Sequence, residues 1–244
     1  MQEYYDVIFK RRSTRKYAET GLSASEIKAV EATLTQLVPL DSSIKTKLVI
    51  KQRTMTKAKF GEYSLVAYSE NKPNYLLNMG YLLQQFDLLL NRMGIGTCWY
   101  GLAKEDEQLE GLDFVIMIVF GKPLNDNLSV TREKINRKDL NVIWTGSFDD
   151  EVIKAVSMAP SAVNSQPWRF KYERNTITVY RATDFATFIP ASKRAFFNTI
   201  DVGISMCFLE IALNKKNYQF ERRLISNEIA NGRELLAEYV LINK

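Results

Sequence analysis

The sequence predicts an α+β fold made of two tandem, degenerate copies of one unit, which would pair within the chain as a pseudo-dimer. The tetrapeptide Ile-Lys-Ala-Val at residues 27–30 recurs at 153–156, and acidic residues that favour the start of a helix precede each copy. In both places a proline, a short strand-like run and a long apolar helix follow in the same order. We expect the first repeat, with a connecting arm, to span 1–147 and the second to span 148–244.

Hydrophobic periodicity places the elements of both copies. Apolar residues recur at helical spacing around Gly80 and again around Gly203. The predicted helices lie near residues 3–10, 23–36, 73–93, 148–158 and 196–214, and the predicted strands near 46–52, 64–70, 113–121, 168–173, 176–181, 217–223 and 235–243. The segment 122–147 contains a proline and five basic residues, which is typical of a connecting arm.

Composition excludes several classes of protein. The chain has 244 residues, of which 46% are hydrophobic and 25% charged, as in a globular protein. Its apolar stretches are too short to cross a bilayer and its first residues do not resemble a secretory signal, so we expect a cytoplasmic protein with no membrane span. The absence of histidine excludes histidine-based catalysis and histidine-ligated metals. With only two cysteines, we expect no structural zinc site.

A cationic segment at residues 10–16 is the first candidate for binding. It packs five cations and two hydroxyls into seven residues, and the whole chain carries a net charge of +5. Guanidinium forks and hydroxyls suit a terminal phosphate. A solvated basic loop and a nucleic-acid patch are the alternatives, although few aromatic residues are interleaved with the cations, which weakens the second.

Two further segments have the composition of binding loops. Residues 159–170 lie between a predicted helix and a predicted strand, and two prolines fix a run of polar side chains that are free to meet a ligand. Residues 94–101 follow the long helix of the first copy and contain three glycines, which allow a close approach of backbone to a flat ring. A rigid connector is the alternative for the first segment, and a helix cap followed by a turn is the alternative for the second.

Taken together, these segments resemble the nitroreductase superfamily of FMN enzymes, and more narrowly its single-chain, double-repeat subgroup. The matching elements are Arg-Arg-Ser-x-Arg-x-Tyr at 11–17, Gly-x-Gly-Thr-Cys-Trp at 94–99 and Ala-Pro-Ser-x-x-Asn-x-Gln-Pro-Trp at 159–168. The resemblance spans nearly the whole chain, and it implies a nitroreductase-like fold.

One departure from the family pattern concerns the distribution of these elements. In ordinary members the Arg-Arg-Ser and Pro-Ser-x-x-Asn elements lie close together in sequence, whereas here each copy has kept a different one. The first copy reads Gln-Leu-Val-Pro-Leu-Asp at 36–41, where the second has its Pro-Ser element, and the second copy has no Arg-Arg-Ser element. Because the family binds flavin between subunits, the resemblance implies one complete FMN site per chain and a monomer.

The resemblance also assigns residues to the cofactor. It implies that Arg11, Ser13 and Arg15 hold the FMN phosphate, that Arg12 contacts the phosphate or the pyrimidine edge, and that Arg137 and Lys138 form a second phosphate grip. The residues expected to contact the ring or complete the cofactor site are Gly96, Thr97, Cys98, Trp99, Pro160, Ser161, Ala162, Asn164 and Gln166. Trp168 and Tyr100 are further candidates to border the ring, and a packing role is favoured over a redox role for Cys98.

The function implied by the resemblance is that of an NAD(P)H-dependent nitroreductase with a ping-pong mechanism. The partners are then NAD(P)H and a small-molecule acceptor such as a nitroaromatic or quinone, with no nucleic acid, no membrane and no catalytic side chain required. A flavin-binding sensor or store without turnover is the main alternative. A basic nucleic-acid binder and a flavin-dependent dehydrogenase or dehalogenase of the same superfamily also remain open.

Overall fold

The structure is a computed structural model that describes residues 2–124 and 135–243, without the side chains of residues 2, 226–228 and 243. Its helices are α1 (Tyr5–Ile8), α2 (Ala24–Thr33), α3 (Tyr75–Arg92), α4 (Leu140–Ile143), α5 (Asp150–Ser157) and α6 (Ala191–Lys215). Its strands are β1 (Thr46–Gln52), β2 (Tyr63–Ser69), β3 (Gly96–Tyr100), β4 (Asp113–Gly121), β5 (Trp144–Thr145), β6 (Trp168–Glu173), β7 (Thr176–Ala182), β8 (Gln219–Ala230) and β9 (Arg233–Asn243). The predicted α+β class is confirmed.

The chain divides into two compact units. The first unit is Lys10–Thr131, and the second unit joins Met1–Phe9 to Arg132–Lys244. In this division the first nine residues belong to the second unit, and the predicted repeat boundary at 147/148 stays a prediction. Residues 125–134 of the predicted arm lie outside the described residues.

The first unit contains α2, α3 and an antiparallel sheet with the strand order β1-β2-β4-β3. Helix α2 begins at a capping box in which Ser23 and Glu26 each accept a hydrogen bond from the backbone N–H of the other. Helix α3 is almost wholly buried between residues 77 and 91. Strands β2 and β4 pair with a bulge between Ala67 and Tyr68.

The second unit repeats this strand arrangement with additions. Its sheet has the order β5-β6-β7-β9-β8, in which the short strand β5 pairs in parallel with β6 and the other pairs are antiparallel. Strands β7 and β9 pair with a bulge between Val179 and Tyr180. Helix α1 packs against α6, so the N-terminal residues complete the helical layer of this unit. Without β5, both sheets have the same connectivity.

Helix α6 is long and apolar enough, by length and composition, to cross a membrane. However, 83% of its most apolar 18-residue window is buried inside the chain. It also carries buried polar side chains, including Asn198, Asp201 and Glu210. This burial is typical of a core helix, so the apolar character of α6 is explained by packing within the second unit.

The structure differs from the predicted elements in several places, and the short elements α4 and β5 lie within the predicted connecting arm. Residues 96–100 form β3, although their glycines favoured a turn in the sequence. Helix α6 begins at Ala191, before the apolar periodicity starts, and β8 extends to Ala230, beyond the predicted end at 223. Pairing with a neighbouring strand stabilises β3 and the extension of β8, and a contribution of this kind is not visible in local sequence.

Candidate functional site

The first unit brings together two of the three predicted elements, the cationic segment and the glycine segment. The backbone N–H of Thr14 donates to the carbonyl of Thr97 at 2.7 Å, and Ser13 forms a parallel bridge with the same residue. The hydroxyl of Tyr17 then donates to the carbonyl of Thr14 at 2.7 Å. The cationic segment is therefore hydrogen-bonded alongside β3 and is not a solvated basic loop.

Glycine at position 96 makes this close approach possible. A Cβ atom placed on Gly96 would lie 2.6 Å from Cγ2 of Thr14, a distance at which one of the two segments must move. By contrast, Gly94 has a φ of +77° and open space around the position of a Cβ atom. Gly94 thus serves the backbone turn after α3, and Gly96 serves the contact between the two elements.

A buried ion pair holds the cationic segment to α3. Nε of Arg11 lies 2.8 Å from Oδ2 of Asp87, and the side chains of the two residues are 4% and 0% exposed. Asp87 also accepts hydrogen bonds from Nε2 of Gln84, at 2.7 Å, and from the hydroxyl of Thr97. Nδ2 of Asn91 donates to that hydroxyl at 2.8 Å. One carboxylate therefore positions both the Arg11 turn and β3.

The remaining polar groups of this turn face a more open environment. Arg15 is exposed, and Arg12 and Ser13 are half-buried. Nη2 of Arg11 lies 3.4 Å from the hydroxyl oxygen of Ser13. A guanidinium and a hydroxyl held on an ordered backbone are donors of the kind that binds a phosphate monoester.

Cys98 and Trp99 continue β3 beyond Thr97. Cys98 is only 3% exposed and belongs to an apolar cluster with Val66 and Val119. Burial raises the pKa of its thiol, more than the nearby charge of Arg15 lowers it, so little thiolate forms near neutral pH. Nε1 of Trp99 donates to Oε1 of Gln84 at 3.2 Å, which ties β3 to α3 a second time.

The third predicted element, at residues 159–170, lies in the second unit and has a strained backbone. It leaves α5, forms a single 3-10 turn at Ala162–Asn164 and enters β6 at Trp168. Val163, Asn164 and Gln166 have φ values of 45°, 56° and 47°, in the left-handed region. For a β-branched residue such as Val163 this conformation is unfavourable, at a cost of roughly 1–3 kcal/mol, and such strain concentrates at functional sites.

Residues 136–138 brace this strained loop from one side. Nη1 of Arg137 donates to Oδ1 of Asn164 at 2.5 Å, and Nη2 donates to the carbonyl of Met158 at 3.0 Å. Nδ2 of Asn164 donates to the carbonyl of Asn136 at 2.5 Å, and the N–H of Lys138 donates to Oε1 of Gln166 at 2.8 Å. The second unit thus brings together four residues predicted for the flavin site, and Arg137 supports the loop.

Ser161 and Asp201 hold the loop from inside. The hydroxyl oxygen of Ser161 accepts from the N–H of Gln166 at 2.9 Å. The carboxylate of Asp201, on α6, accepts from the N–H of Ala162 at 3.0 and 3.2 Å and from the hydroxyl of Ser165 at 3.3 Å. Asp201 and Asp87 were not predicted from the sequence. The available signal was an acidic residue within an apolar helical run, which indicates a buried, partnered carboxylate.

Lys138, Pro160 and Trp168 complete the predicted residues of this unit. Burial lowers the pKa of the Lys138 ammonium to about 8, with a further contribution from the charge of Arg169. The same ammonium lies 4.4 Å from the centroid of the Phe185 ring. Pro160 and Trp168 are buried, and Nε1 of Trp168 has no hydrogen-bond partner in the part of the chain that the structure describes.

Comparison with known proteins identifies the fold and the family. The fold is of the nitroreductase type, as shown by a “putative nitroreductase” of Thermotoga maritima, which superposes with a TM-score of 0.67 at 19% identity and covers 98% of this chain and 93% of its own. The chain belongs to the family described as “Putative TM nitroreductase”, whose model matches residues 3–213. The membership predicted from the motifs is therefore confirmed.

Two shorter nitroreductases also match. One, a nitroreductase family protein from Clostridium difficile, has a TM-score of 0.47 at 13% identity and covers 56% of this chain and 94% of its own. Another, from Desulfovibrio desulfuricans, was solved in complex with FMN and has a TM-score of 0.41 at 14% identity, covering 56% of this chain and 96% of its own. No curated protein matches the chain in sequence.

Proposed function

We propose that this protein is an FMN-dependent oxidoreductase that uses NAD(P)H to reduce nitroaromatics, quinones or similar flat acceptors by a ping-pong mechanism. The observation that supports this proposal best is the attachment of the cationic turn to β3, through the N–H of Thr14 and the carbonyl of Thr97. This attachment orders arginine and serine donors next to a strand of small and apolar residues. Such an arrangement has the chemistry needed by a flat ring that carries a phosphate.

The phosphate contacts in this proposal come from the first unit. Arg12, Ser13 and Arg15 donate hydrogen bonds to the phosphate oxygens. Arg11 has a double role, because its Nε lies against Asp87 while its Nη2 lies 3.4 Å from the hydroxyl oxygen of Ser13. Positive charge from Arg12 beside the pyrimidine edge would raise the reduction potential of the cofactor.

The ring contacts in this proposal come from two sets of residues. The backbone amides of residues 96–98 hydrogen-bond the ring, and Trp99 borders it. The strained loop contributes the other contacts, from Pro160, Ser161, Ala162, Asn164 and Gln166, with Arg137 and Lys138 as the cations that brace it. The flavin supplies the two-electron chemistry, in which NAD(P)H gives up a hydride and leaves before the acceptor is reduced. The side chains bind and orient, and water supplies the protons.

We further propose that the chain is an internal repeat with one FMN site, and that it is active as a monomer. The sheets of the two units share their connectivity and the position of a bulge. Their long helices share a spacing of polar and small residues, Asn78, Gly80, Asp87 and Asn91 in α3 against Asp201, Gly203, Glu210 and Asn214 in α6. Nδ2 of Asn91 donates to the backbone carbonyl of Asp87 at 2.7 Å. In α6, Nδ2 of Asn214 donates to the backbone carbonyl of Glu210 at the same distance.

Absorption spectroscopy tests the proposed activity. The purified protein should be yellow, and its flavin absorption should disappear when NADH or NADPH is added without oxygen and return when a quinone is added. Colour that persists in both reduced nucleotides would favour flavin storage. Colourless protein that does not bind added FMN would contradict the proposal.

Substitution of Arg15 tests the phosphate contact. Because Arg15 is exposed, Arg15→Ala should fold normally and weaken FMN binding by about tenfold to a hundredfold, the loss expected for a charged hydrogen bond. Lys28→Ala is the matched control, since Lys28 is an exposed cation on α2 and its removal lowers the net charge by the same amount. Equal FMN dissociation constants for the two variants, measured by flavin fluorescence, would contradict the assignment of Arg15.

A further inference from the structure

Asp201 is a buried carboxyl group whose hydrogen bonds, among the described residues, are with the strained loop. Asp201 is 3% exposed, and both of its carboxyl oxygens lie within 3.2 Å of the backbone nitrogen of Ala162. The hydroxyl of Ser165, which also lies 3.5 Å from Oδ1 of Asn198, donates to Oδ2. These contacts hold both ends of the 3-10 turn that presents Val163, whose side chain is 59% exposed despite its apolar character.

The first unit uses a neutral amide at the corresponding place. Oδ1 of Asn78 accepts from the N–H of Leu40 at 2.8 Å and from the N–H of Asp41 at 3.1 Å. Leu40 and Asp41 follow Pro39, as Ser161 and Ala162 follow Pro160. An amide oxygen is therefore sufficient to hold a segment of this kind, which makes the acidic group of Asp201 a distinct feature of the strained loop.

We propose that Asp201 is a positioning residue for the flavin ring, and that its contacts with Ala162 and Ser165 hold the loop 161–166 in the conformation that binds the ring. This inference rests on the proposed FMN function. The loop needs such an anchor because three of its residues have positive φ angles, a conformation that is kept only when surrounding contacts fix it. Ala162 and Ser165 flank the two adjacent strained residues, Val163 and Asn164.

The titration of Asp201 is governed by burial. Burial raises the pKa of the carboxyl group to about 8, and the hydrogen bonds from Ala162 and Ser165 lower it by less. No charged side chain contributes to this shift among the described residues that belong to the elements packed against α6. These residues are Glu3 and Asp6 at the N-terminus, Asp150, Glu151 and Lys154 of α5, Arg169, Lys171 and Glu173 of β6, and Arg181 of β7.

The sign of the pH dependence follows from this raised pKa. When the loop is open and hydrated, the carboxyl group has a pKa near its ordinary value of 3.8. In the closed loop, which is the conformation of the structure, the group keeps its proton up to about pH 8. Closing the loop therefore binds a proton between these two values. The closed loop loses stability as the pH rises from about 4 to about 8, and its stability is constant above that range.

Hydrogen exchange of the flavin-free protein tests the anchor directly. The protection factor of the Ala162 amide should fall as the pH rises towards 8 in the wild-type protein and should be independent of pH in Asp201→Asn, which keeps an acceptor oxygen as Asn78 does. Asp201→Ala should lose about tenfold or more of this protection at pH 6, because the N–H is left without its acceptor. Ser205→Ala is the control, since the buried hydroxyl of Ser205 on α6 donates to the carbonyl of Val202, one turn earlier in the same helix. The control should follow the wild-type profile.

FMN affinity gives the second readout. At pH 6, Asp201→Ala should weaken FMN binding by about tenfold or more, whereas Asp201→Asn should bind within about threefold of the wild-type protein. The same pH profile of protection in Asp201→Asn as in the wild-type protein, or unchanged protection in Asp201→Ala, would overturn the inference. Failure of the wild-type protein to bind FMN would instead remove the proposed function, and the exchange data would still decide whether Asp201 anchors the loop.

Discussion

The long helices of the two units carry an acidic residue at the same position, but they pair it with different cations. In α3, Asp87 pairs with Arg11 of the cationic turn. In α6, Glu210 pairs with Arg222 of β8 and accepts a hydrogen bond from the hydroxyl of Tyr239 at 2.8 Å. The comparison shows how one buried carboxylate can either organise a binding turn or complete a sheet. In the first unit the carboxylate orders the cationic segment, which is rich in arginine and hydroxyl groups that can donate hydrogen bonds.

The loops that follow helices α2 and α5 also differ, and here the second unit contains the family element. In the second unit this loop carries the Pro-Ser-x-x-Asn element, with residues in strained conformations and an acidic anchor. In the first unit, segment 36–41 follows α2, is held by Asn78 and does not contain the element. Each unit therefore contains a different sequence element of the family pattern, which is the basis for proposing one FMN per chain.

Removal of the cation should have a larger effect in the first unit than in the second. Arg11→Ala leaves the wholly buried Asp87 without its ion-pair partner, and we expect the free energy of unfolding to fall by about 3–5 kcal/mol. Arg222→Ala should cost less, about 1–3 kcal/mol, because the Arg222 side chain is 23% exposed and water can replace part of the lost interaction. Urea denaturation of both variants measures the difference.

A double variant distinguishes loss of the charge partner from loss of packing. If the cost of Arg11→Ala comes from the unpaired carboxylate, then Asp87→Asn should recover part of it in the double variant, because a neutral amide is less costly to bury alone. Equal losses in Arg11→Ala and Arg222→Ala, with no recovery in the double variant, would break the comparison between the two helices.

A smaller effect is expected from the glycines at the start of β3 and just before it. Gly96→Ala places a Cβ atom against Thr14, and we expect a cost of about 1–3 kcal/mol together with weaker FMN binding, because the cationic turn must shift. Gly94→Asn is the matched control, since asparagine tolerates the left-handed conformation and the site is open. FMN titration should separate the two variants, and equal affinities would show that the turn and β3 are not coupled in binding.

Much of the fold could be predicted because burial in the long elements is regular. The apolar repeats of α3 and the alternation of β7 have periods that identify a helix and a strand without tertiary information. Strand β3 could not be predicted in this way, because Gly94 and Gly96 favour a turn and only the pairing of residues 96–100 with β4 makes them a strand.

The candidate site was predictable to the extent that its residues form sequence motifs. The motifs located Arg11, Ser13 and Asn164, but they did not show that Arg11 is buried in an ion pair or that Asn164 is bonded to Arg137. These partners lie 76 positions away for Arg11 and 27 for Asn164. Contacts between residues so far apart in sequence depend on tertiary packing, which leaves no local pattern in a single sequence.

The stoichiometry of bound FMN is the most direct test of the central proposal, that the chain binds one FMN. The purified protein should be saturated with FMN, and the flavin released by denaturation should then be quantified by its absorption against the concentration of the chain. Our account predicts one FMN per chain. Two FMN molecules per chain, or none after saturation, would contradict it.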